Sequence, residues 1–454
     1  MPRGNVPTGS AEDLIISEST FRVNLHDQNR TASAQSKKRK RESKGDASIT
    51  SGPRAYKGPW AKYEEEAPEE SSGSEEVEYI FEEDDIEEQP APPTSKKGTA
   101  YQEDNDAAET TEFHGSEQYD YQGRTYMHVP NDLDITLTGE RGDLKNYCPK
   151  KVIHTYKSHT KAITQIRFFP DSGHLLLSAS ADGRVKIWDA YHSRELLRTY
   201  SGHHNKSVND LDFSPNGTQF LSSSYDKMIK LWDTETGACI SRFSPGATPH
   251  VVRFNPSEPN QFLAGMSNKK ILQFDTRADS RDPVQEYDHH LGPVNTIVFC
   301  DNDRRFMTTS DDKSLRAWEW NIPVPIKFIA EPYMFSMNRA TAHPSGKYVA
   351  YQSMDNQIVV YASTEKFRQN RKKSFRGHNN AGYAIDLAAS PDGDTLMSGS
   401  SDGKVYFWSW KTCKLLMDKT LQVSDSPVVA CVWHPRETSK VITGDLNGVI
   451  KYWD

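Results

Sequence analysis

Two patterns of hydrophobic and polar residues divide the chain. From residue 150 onward, short runs of β-branched and aromatic residues alternate with polar ones and are broken by Gly, Asn and Asp turn residues. This pattern is typical of β-strands joined by tight turns. Residues 1–120 show no sustained period of 2 or of 3.6. The sequence therefore predicts an all-β body preceded by a long arm.

An aromatic residue recurs near the end of the third predicted strand of each unit of the body. The positions are 188, 232, 274, 318, 361, 408 and 453, separated by 42 to 47 residues. A four-stranded propeller blade has about 40 to 45 residues. The prediction is a seven-bladed β-propeller over residues 150–454, after a disordered arm over 1–120 and an extended linker over 121–149.

Four of the seven units repeat a His, a Ser, an Asp and a Trp. We interpret the set as a buried hydrogen-bond chain in which Asp bonds His, His bonds Ser, and Ser accepts from the indole N–H, so that each buried polar group is paired. A catalytic triad is the alternative, but a triad occurs once and this set recurs at the spacing of a blade. The members are His159, Ser180, Asp182 and Trp188; His203 or His204 with Ser224, Asp226 and Trp232; His290, Ser310, Asp312 and Trp318; and His378, Ser400, Asp402 and Trp408.

These units resemble the WD-repeat family, which implies a propeller that acts through binding. The third, fifth and seventh units depart from the pattern. They have Asn268 with Phe274, Tyr361 in place of Trp, and Asn447 in the turn. We expect these blades to carry altered loops and to be missed by a search for the repeat.

The two ends of the body complement each other. The chain stops at Trp453-Asp454, which is the end of a third strand, and residues 151–156 form a spare strand ahead of the first unit. Pairing of these two segments would remove an open sheet edge. We therefore expect the N-terminal strand to complete the seventh blade and close the ring.

Charge is distributed unevenly, with a net of −13 over residues 1–120 and +5 over the rest, out of −8 in total. The arm has too little apolar surface to offset the entropy of ordering, so we predict that it is disordered when free. One block within it is basic and typical of a nuclear import signal. A solvated charge run or a weak nucleic-acid tether is the alternative. The block comprises Lys37, Lys38, Arg39, Lys40 and Arg41.

An acidic stretch over residues 64–88 contains Ser71, Ser72 and Ser74 among glutamates. It favours a self-repelling spacer. The alternative is a site of acidic-directed phosphorylation or an electrostatic attraction for a basic partner.

Two aromatic clusters interrupt the arm and the linker. Residues 56–63 place three aromatics around a Gly-Pro turn with Trp60 at the centre, and residues 119–126 hold three tyrosines. Such clusters favour short motifs that dock in a partner's groove, and a chance cluster is the alternative. The candidate docking residues are Tyr56, Pro59, Trp60, Tyr63, Tyr121, Arg124 and Tyr126.

The strongest basic feature of the body is the segment 366–376, which interleaves cations with Phe367 and Phe375. One interpretation is contact with RNA phosphates, with the aromatics stacked on bases. The other is the outer strand of a blade with solvated cations. The candidate phosphate contacts are Arg368, Arg371, Lys372, Lys373 and Arg376.

Several classes of protein find no support in the sequence. No stretch approaches the ~18–20 apolar residues of a membrane span, and residues 1–10 lack the apolar core of a signal peptide. The five cysteines are scattered and form no C-x-x-C pair, which disfavours a disulfide framework or a zinc site and fits a reducing compartment. We find no phosphate loop or nucleophile elbow. We expect no enzyme activity, metal, cofactor, membrane contact or small-molecule substrate.

Matches outside the generic repeat make the resemblance narrower. Residues 58–63, 119–124, 172–178, 264–267, 310–316 and 434–443 are similar to a family of WD-repeat splicing factors. That resemblance implies a nuclear scaffold of the spliceosome acting around the second catalytic step, when the 3′ splice site is joined. It also implies contacts with spliceosomal core proteins and raises contacts with snRNA or intron RNA as a further hypothesis.

A competing hypothesis is a substrate receptor of a cullin-type ubiquitin ligase. Some WD-repeat receptors dock through a Trp-Asp-x-Arg ending, and Phe274-Asp275-Thr276-Arg277 resembles it with Phe in place of Trp. Purification with ligase adaptors instead of splicing proteins would favour this hypothesis.

Overall fold

The computed structural model describes residues 110–115, 123–130, 137, 144–201, 204, 206–278, 280–364 and 366–454. Within these residues 29 strands form seven sheets, and one 3-10 turn spans Met417–Lys419. The prediction of an all-β, seven-bladed propeller is confirmed. No helix of the described part is long and apolar enough to cross a membrane. Residues 1–109 of the predicted arm lie outside the description.

The strands follow one another along the chain with short turns between them. In order they are β1 (Thr110–Phe113), β2 (Val152–Lys157), β3 (Ile163–Phe168), β4 (Leu175–Ser180), β5 (Val185–Asp189), β6 (Leu196–Ser201), β7 (Val208–Phe213), β8 (Gln219–Ser224), β9 (Ile229–Asp233), β10 (Cys239–Phe243), β11 (Pro249–Phe254), β12 (Gln261–Met266), β13 (Ile271–Asp275), β14 (Gln285–Tyr287), β15 (Val294–Cys300), β16 (Arg305–Ser310), β17 (Leu315–Glu319), β18 (Pro325–Ile329), β19 (Met337–Ala342), β20 (Tyr348–Ser353), β21 (Gln357–Ala362), β22 (Gln369–Arg376), β23 (Leu387–Ala389), β24 (Thr395–Gly399), β25 (Lys404–Ser409), β26 (Leu421–Gln422), β27 (Val428–Trp433), β28 (Val441–Asp445) and β29 (Val449–Trp453).

Each blade is an antiparallel sheet whose first strand lies innermost. The innermost strands β3, β7, β11, β15, β19, β23 and β27 contact one another in turn around a central channel. The second and third strands are nearly fully buried, as in β4 and β5 of the first blade. Both faces of these strands are covered by neighbouring blades, which explains their continuous apolar runs.

The recurring aromatic residue of the third strand packs against the preceding blade. Trp232 of the second blade lies in one cluster with Leu175 and Ile187 of the first. Trp188 of the first blade packs with Ile442 and Tyr452 of the seventh. The same holds at the other five junctions for Phe274, Trp318, Tyr361, Trp408 and Trp453. The period in the sequence is therefore the period of interblade contacts.

The ring closes as the sequence predicted. β2 pairs antiparallel with β29, so that one N-terminal and three C-terminal strands build the seventh blade. The backbone N–H groups of Lys150 and Lys151 donate to the carbonyl of Asp454 at 2.8 and 2.7 Å. Tyr156 of β2 is buried against Trp188, with ring centroids 5.1 Å apart. The closing strand thus contributes hydrogen bonds and a core side chain.

One strand lies where the sequence predicted part of the arm. β1 pairs antiparallel with β6 and adds a fifth strand to the first blade, with Phe113 opposite Arg198. The ordered body therefore begins before residue 120, and the boundary predicted there is too late for residues 110–115. Because strand pairing of this kind joins residues about 90 positions apart, no local periodicity announces it.

Removal of the buried aromatic from the closing strand should loosen the ring. We expect Tyr156→Ala to lower the free energy of unfolding by about 3–5 kcal/mol, as is usual when a large aromatic is truncated in a core. Val152→Ala in the same strand is the control, because Val152 is 43% exposed. Urea denaturation followed by tryptophan fluorescence compares them. Equal stability of the two variants would contradict a role of Tyr156 in closure.

Candidate functional site

The predicted hydrogen-bond chain exists in the first blade, with one change. Asp182 accepts from Nδ1 of His159 at 2.9 Å, Nε2 of His159 bonds the hydroxyl of Ser178 at 2.8 Å, and Nε1 of Trp188 donates to the same hydroxyl at 2.8 Å. Ser180 is not in the chain. Its hydroxyl donates to the carbonyl of Lys161 and accepts from the backbone N–H of Asp182. It therefore supports the turn.

The same correction applies to the second and fourth blades. Ser222 takes the place predicted for Ser224, and Thr308 takes the place predicted for Ser310. In the second blade the histidine is His204, 2.6 Å from Asp226. In the fourth, His290 lies 3.0 Å from Asp312 and 2.8 Å from the hydroxyl of Thr308.

The geometry of the strand pair explains which hydroxyl is used. Trp188 lies opposite Leu176 in the ladder. An indole reaches diagonally to a residue two positions along the partner strand, which is Ser178. Ser180 lies two positions further, beyond that reach. Both serines point to the same face of the strand, so the sequence alone did not separate them.

The sixth blade does not form the predicted set. Nε1 of Trp408 donates to the carbonyl of Arg376 at 3.0 Å, Asp402 accepts from the hydroxyl of Tyr406 at 2.7 Å, and Nδ1 of His378 has no partner among the described residues. The physical reason lies in the loop. His378 precedes the first strand of its blade by nine residues, whereas His159, His204 and His290 precede theirs by four. Ser400 again supports a turn, accepting from the backbone N–H of Asn379.

In the hydrogen-bond sets that form, burial and hydrogen bonding fix the protonation states of the histidines and aspartates. Burial lowers the pKa of His159 and of His290, so that both rings stay neutral. Burial alone would raise the pKa of Asp312, but the hydrogen bonds from His290 and Ser314 outweigh it and the net shift is downward. Each histidine thus meets a carboxylate as a hydrogen-bond donor with no exposed nucleophile beside it. The arrangement pairs buried polar groups with one another, and the aspartates also accept from backbone N–H groups of the turns.

The basic segment 366–376 is the outer strand of the fifth blade. β22 pairs with β21, and Phe375 and Phe367 are buried in the core, so neither aromatic can stack on a base. Arg371 pairs with Glu331 at 3.0 Å. The Nζ of Lys373 donates to the carbonyl of Trp410 at 2.6 Å. Gln357 accepts from Arg376. Arg368 and Lys372 remain exposed cations on this edge.

Of the predicted docking residues, Tyr126 contacts its own propeller. Its hydroxyl donates to the carbonyl of Thr234 and accepts from Nε of Arg198. Its ring stacks on Phe113 of β1 at 6.0 Å. Tyr126 therefore anchors the segment that follows β1 instead of offering a free docking group. Arg124 lies 3.5 Å from Nε2 of His128.

Other predicted residues cannot be placed. Tyr56, Pro59, Trp60, Tyr63 and Tyr121 lie outside the described residues, as do the basic block of residues 37–41 and the serines at 71, 72 and 74. Their assignments stay predictions.

The Phe-Asp-x-Arg ending forms an internal ion pair. Arg277 donates from Nε and from a terminal nitrogen to the two oxygens of Asp275, at 3.1 and 2.9 Å. Phe274 is buried against the second blade. The guanidinium is therefore engaged by its own chain.

The structure also shows a charged cluster and a cavity that the sequence analysis missed. In the channel, Arg253 donates to Asp210 at 2.6 Å, and Arg167 lies within 4 Å of Asp210 and Asp386.

On the face that carries the His–Asp pairs, a cavity of about 550 Å³ opens between the first two blades, and its lining includes lysines. The sequence feature that could have indicated the cavity is the recurrence of lysine in the turns of neighbouring blades. Within the described residues, no His, Cys, Asp and Glu cluster has the arrangement of a metal site.

Exchanging each of the two serines of the first blade should separate their roles. We expect Ser178→Ala to cost about 2–4 kcal/mol, because it leaves both His159 and Trp188 buried without a partner, at ~1–3 kcal/mol for each group. Ser180→Ala should cost about 1 kcal/mol. Chemical denaturation of both variants measures the difference. A larger cost for Ser180→Ala would favour the assignment made from the sequence.

The buried histidine of the sixth blade should make stability depend on pH, because its Nε2 bonds the Gln352 amide but its Nδ1 has no partner among the described residues. Burial lowers the pKa of His378 to about 4, from about 6.5 in an unfolded chain. The neutral ring is favoured in the folded state, so its contribution is present above pH ~6.5 and is lost as the pH falls toward 4. We expect wild type to lose about 3 kcal/mol more than His378→Gln between neutral pH and pH ~4. Parallel pH profiles of the two proteins would refute this.

Comparison with known proteins agrees with the repeat pattern. The family described as "WD domain, G-beta repeat" matches residues 150–189, 194–233, 281–319 and 369–409. These are the first, second, fourth and sixth units, and the three divergent units are missed, as expected.

Relatives match far more of the chain. Human Pre-mRNA-processing factor 17 is 49% identical over 426 residues, which cover 93% of this chain and 71% of the human protein. Pre-mRNA-processing factor 17 of Saccharomyces cerevisiae is 38% identical over 347 residues, 76% of each chain. Mouse WD repeat-containing protein 25 is 28% identical over 67% of this chain. With its seven blades and this extent of identity, the chain belongs to the pre-mRNA-processing factor 17 family of WD-repeat proteins.

Proposed function

We propose that this protein is a spliceosomal scaffold that acts in pre-mRNA splicing around the second catalytic step. The observation that carries the proposal is the 49% identity to human Pre-mRNA-processing factor 17 across 93% of the chain. A match over 93% of the chain takes in most of the propeller and part of the arm. The place of action is then the nucleus, and the basic block at residues 37–41 is the proposed import signal.

The geometry supports binding as the mode of action. The apolar side chains of the inner strands pack between blades, and the recurrent His, Asp and Trp groups of three blades are joined through hydrogen bonds. The turns on the two faces and the outer strands remain for partners. Spliceosomal core proteins are the proposed partners of these surfaces, and the tyrosines and Trp60 of the arm are proposed to dock in a partner's groove.

We extend the proposal to electrostatic contact of snRNA or intron RNA with the basic edge at β22. Arg368 and Lys372 are exposed and suited to phosphates, whereas Arg371 and Lys373 already have partners and the two phenylalanines are buried. Such an edge can supply electrostatic attraction without base stacking.

Depletion from a splicing extract should show at which step the protein acts. We expect the free 5′ exon and the lariat intermediate to accumulate, because the first step proceeds and exon joining does not. Gel analysis of a labelled pre-mRNA measures this, with the recombinant chain added back as the control. Accumulation of intact pre-mRNA would place the action before the first step and contradict the proposal.

A tagged purification from nuclear extract should recover the partners. We expect splicing proteins together with crosslinked snRNA or intron RNA. The double variant Arg368→Glu, Lys372→Glu should lose part of the crosslinked RNA and keep the proteins. The control Lys150→Glu, Lys151→Glu makes the same charge change at exposed lysines just before the outer strand β2 of the seventh blade, and it should lose neither. Recovery of ubiquitin-ligase adaptors without splicing proteins would support the receptor hypothesis instead.

A further inference from the structure

The cavity on one face of the propeller is built from turns of neighbouring blades. It measures about 550 Å³, and its lining includes Lys161, Asp182, Lys206, Ser207, Tyr225 and Lys227. The lysines at 161 and 206 precede the innermost strands β3 and β7, and Lys227 lies in the turn between β8 and β9. Strand starts and these turns fall on the same face of a blade, so the three ammonium groups share one opening.

The cavity carries net positive charge. Its one carboxylate, that of Asp182, already accepts from His159 at 2.9 Å and from the backbone N–H of Arg184 at 2.9 Å. The three lysines are exposed. No ion pair within 4 Å joins any of them to a carboxylate of the residues that the structure describes. An anion entering the cavity would thus displace no internal partner.

The cations continue beyond the cavity along the same face. Lys269 and Lys313 occupy, in the third and fourth blades, the turn position that Lys227 occupies in the second. All three have a left-handed backbone, with φ of 76°, 59° and 71°. The side chains of Lys227, Lys269 and Lys313 are exposed. We call Lys161, Lys206, Lys227, Lys269 and Lys313 the lysine arc.

An aromatic residue stands at the edge of the cavity. Tyr225 is 51% exposed, and its ring lies 6.4 Å from that of His250. An exposed ring among unpaired cations is the combination that binds single-stranded nucleic acid, because the cations meet phosphates and a base stacks on the ring. A single phosphorylated side chain would need only one such pocket. Cations repeated over four blades suit a chain of phosphates.

We propose that the lysine arc and Tyr225 form a binding site for single-stranded RNA on this face. The site is distinct from the basic edge at β22, and it rests on the proposed spliceosomal function for the origin of its RNA. Ammonium groups of the arc contact successive phosphates, and Tyr225 stacks on one base. Recognition is through backbone charge and stacking, so we expect little dependence on base sequence.

Binding of the purified full chain to RNA tests the arc. The probe is a fluorescein-labelled oligouridine of about 20 nucleotides, longer than the ~4–16 nucleotides of common single-strand sites. Fluorescence anisotropy over a series of KCl concentrations gives Kd and its salt dependence. We expect Lys206→Glu, Lys227→Glu to weaken binding about tenfold or more and to reduce the slope of log K against log salt by about 1.4, which is ~0.7 for each lost phosphate contact.

The matched control changes the same charge on the opposite face. Lys347 lies between the first and second strands of its blade and Lys414 between the third and fourth, and both are exposed. We expect Lys347→Glu, Lys414→Glu to bind RNA as wild type does. Thermal unfolding of both double variants verifies that each is folded. Equal RNA affinity of the two double variants would overturn the proposal.

A second pair of variants tests the stacking ring. We expect Tyr225→Ala to weaken binding about fivefold or more, as is usual for a stacked base, and Tyr225→Phe to retain wild-type affinity because the ring remains. A wild-type Kd for Tyr225→Ala would remove Tyr225 from the site.

Three further outcomes test this inference and separate it from the proposed function. If the arc variant loses a phosphoserine peptide and keeps the oligouridine, the face binds a protein ligand and the inference is wrong. If the purified chain fails to bind RNA while the tagged chain still recovers splicing proteins, the inference fails and the proposed function stands. If the tagged wild type recovers no splicing proteins, the proposed function fails, whatever the RNA titration shows.

Discussion

The packing of one aromatic side chain against the preceding blade is the interaction on which the rest of the structure depends. A blade alone has two apolar faces, and it becomes stable only when both are covered by neighbours. Trp188, Trp232 and their counterparts supply the contact at each junction. Because the junctions form a circle, the last must be made by residues far apart in sequence. Pairing of β2 with β29 satisfies this requirement and leaves the closed ring without a free interblade face.

The hydrogen-bonded His and Asp groups link this packing to the binding surfaces. Asp226 bonds the ring of His204 at 2.6 Å and accepts from the backbone N–H of Met228 at 2.9 Å, which holds the turn that carries Lys227. The side chains buried beneath the turn thus fix the backbone from which Lys227 extends. A scaffold benefits from such turns because a partner need not order them on binding.

Charged residues occur in two different states in this propeller. In the channel, Asp210 lies within 4 Å of both Arg253 and Arg167. Arg167 also lies within 4 Å of Asp386, so that two guanidinium groups meet two carboxylates and their charges largely cancel. On the face with the cavity, Lys161, Lys206 and Lys227 form no ion pair within 4 Å with a carboxylate of the described residues. Burying unpaired charge is costly, whereas leaving it at the surface is not. The charges of the channel are therefore already paired within the protein. An anionic partner gains more favourable electrostatic contact on the face that carries the lysines.

Periodicity alone determined the number of blades, the third-strand aromatics, the closing strand and the Asp of three hydrogen-bond sets, because each depends on spacing along the chain. It determined the His of two of these sets and left the third open between His203 and His204, where the structure selects His204. The tertiary structure decided the contacts that depend on distances in space between side chains. It selected Ser178 over Ser180, which point to the same face of a strand, and it displaced His378 through a longer loop. It also brought β1 to β6 and Tyr126 to Arg198. These contacts join residues that share no local pattern, and only the folded chain brings them within bonding distance.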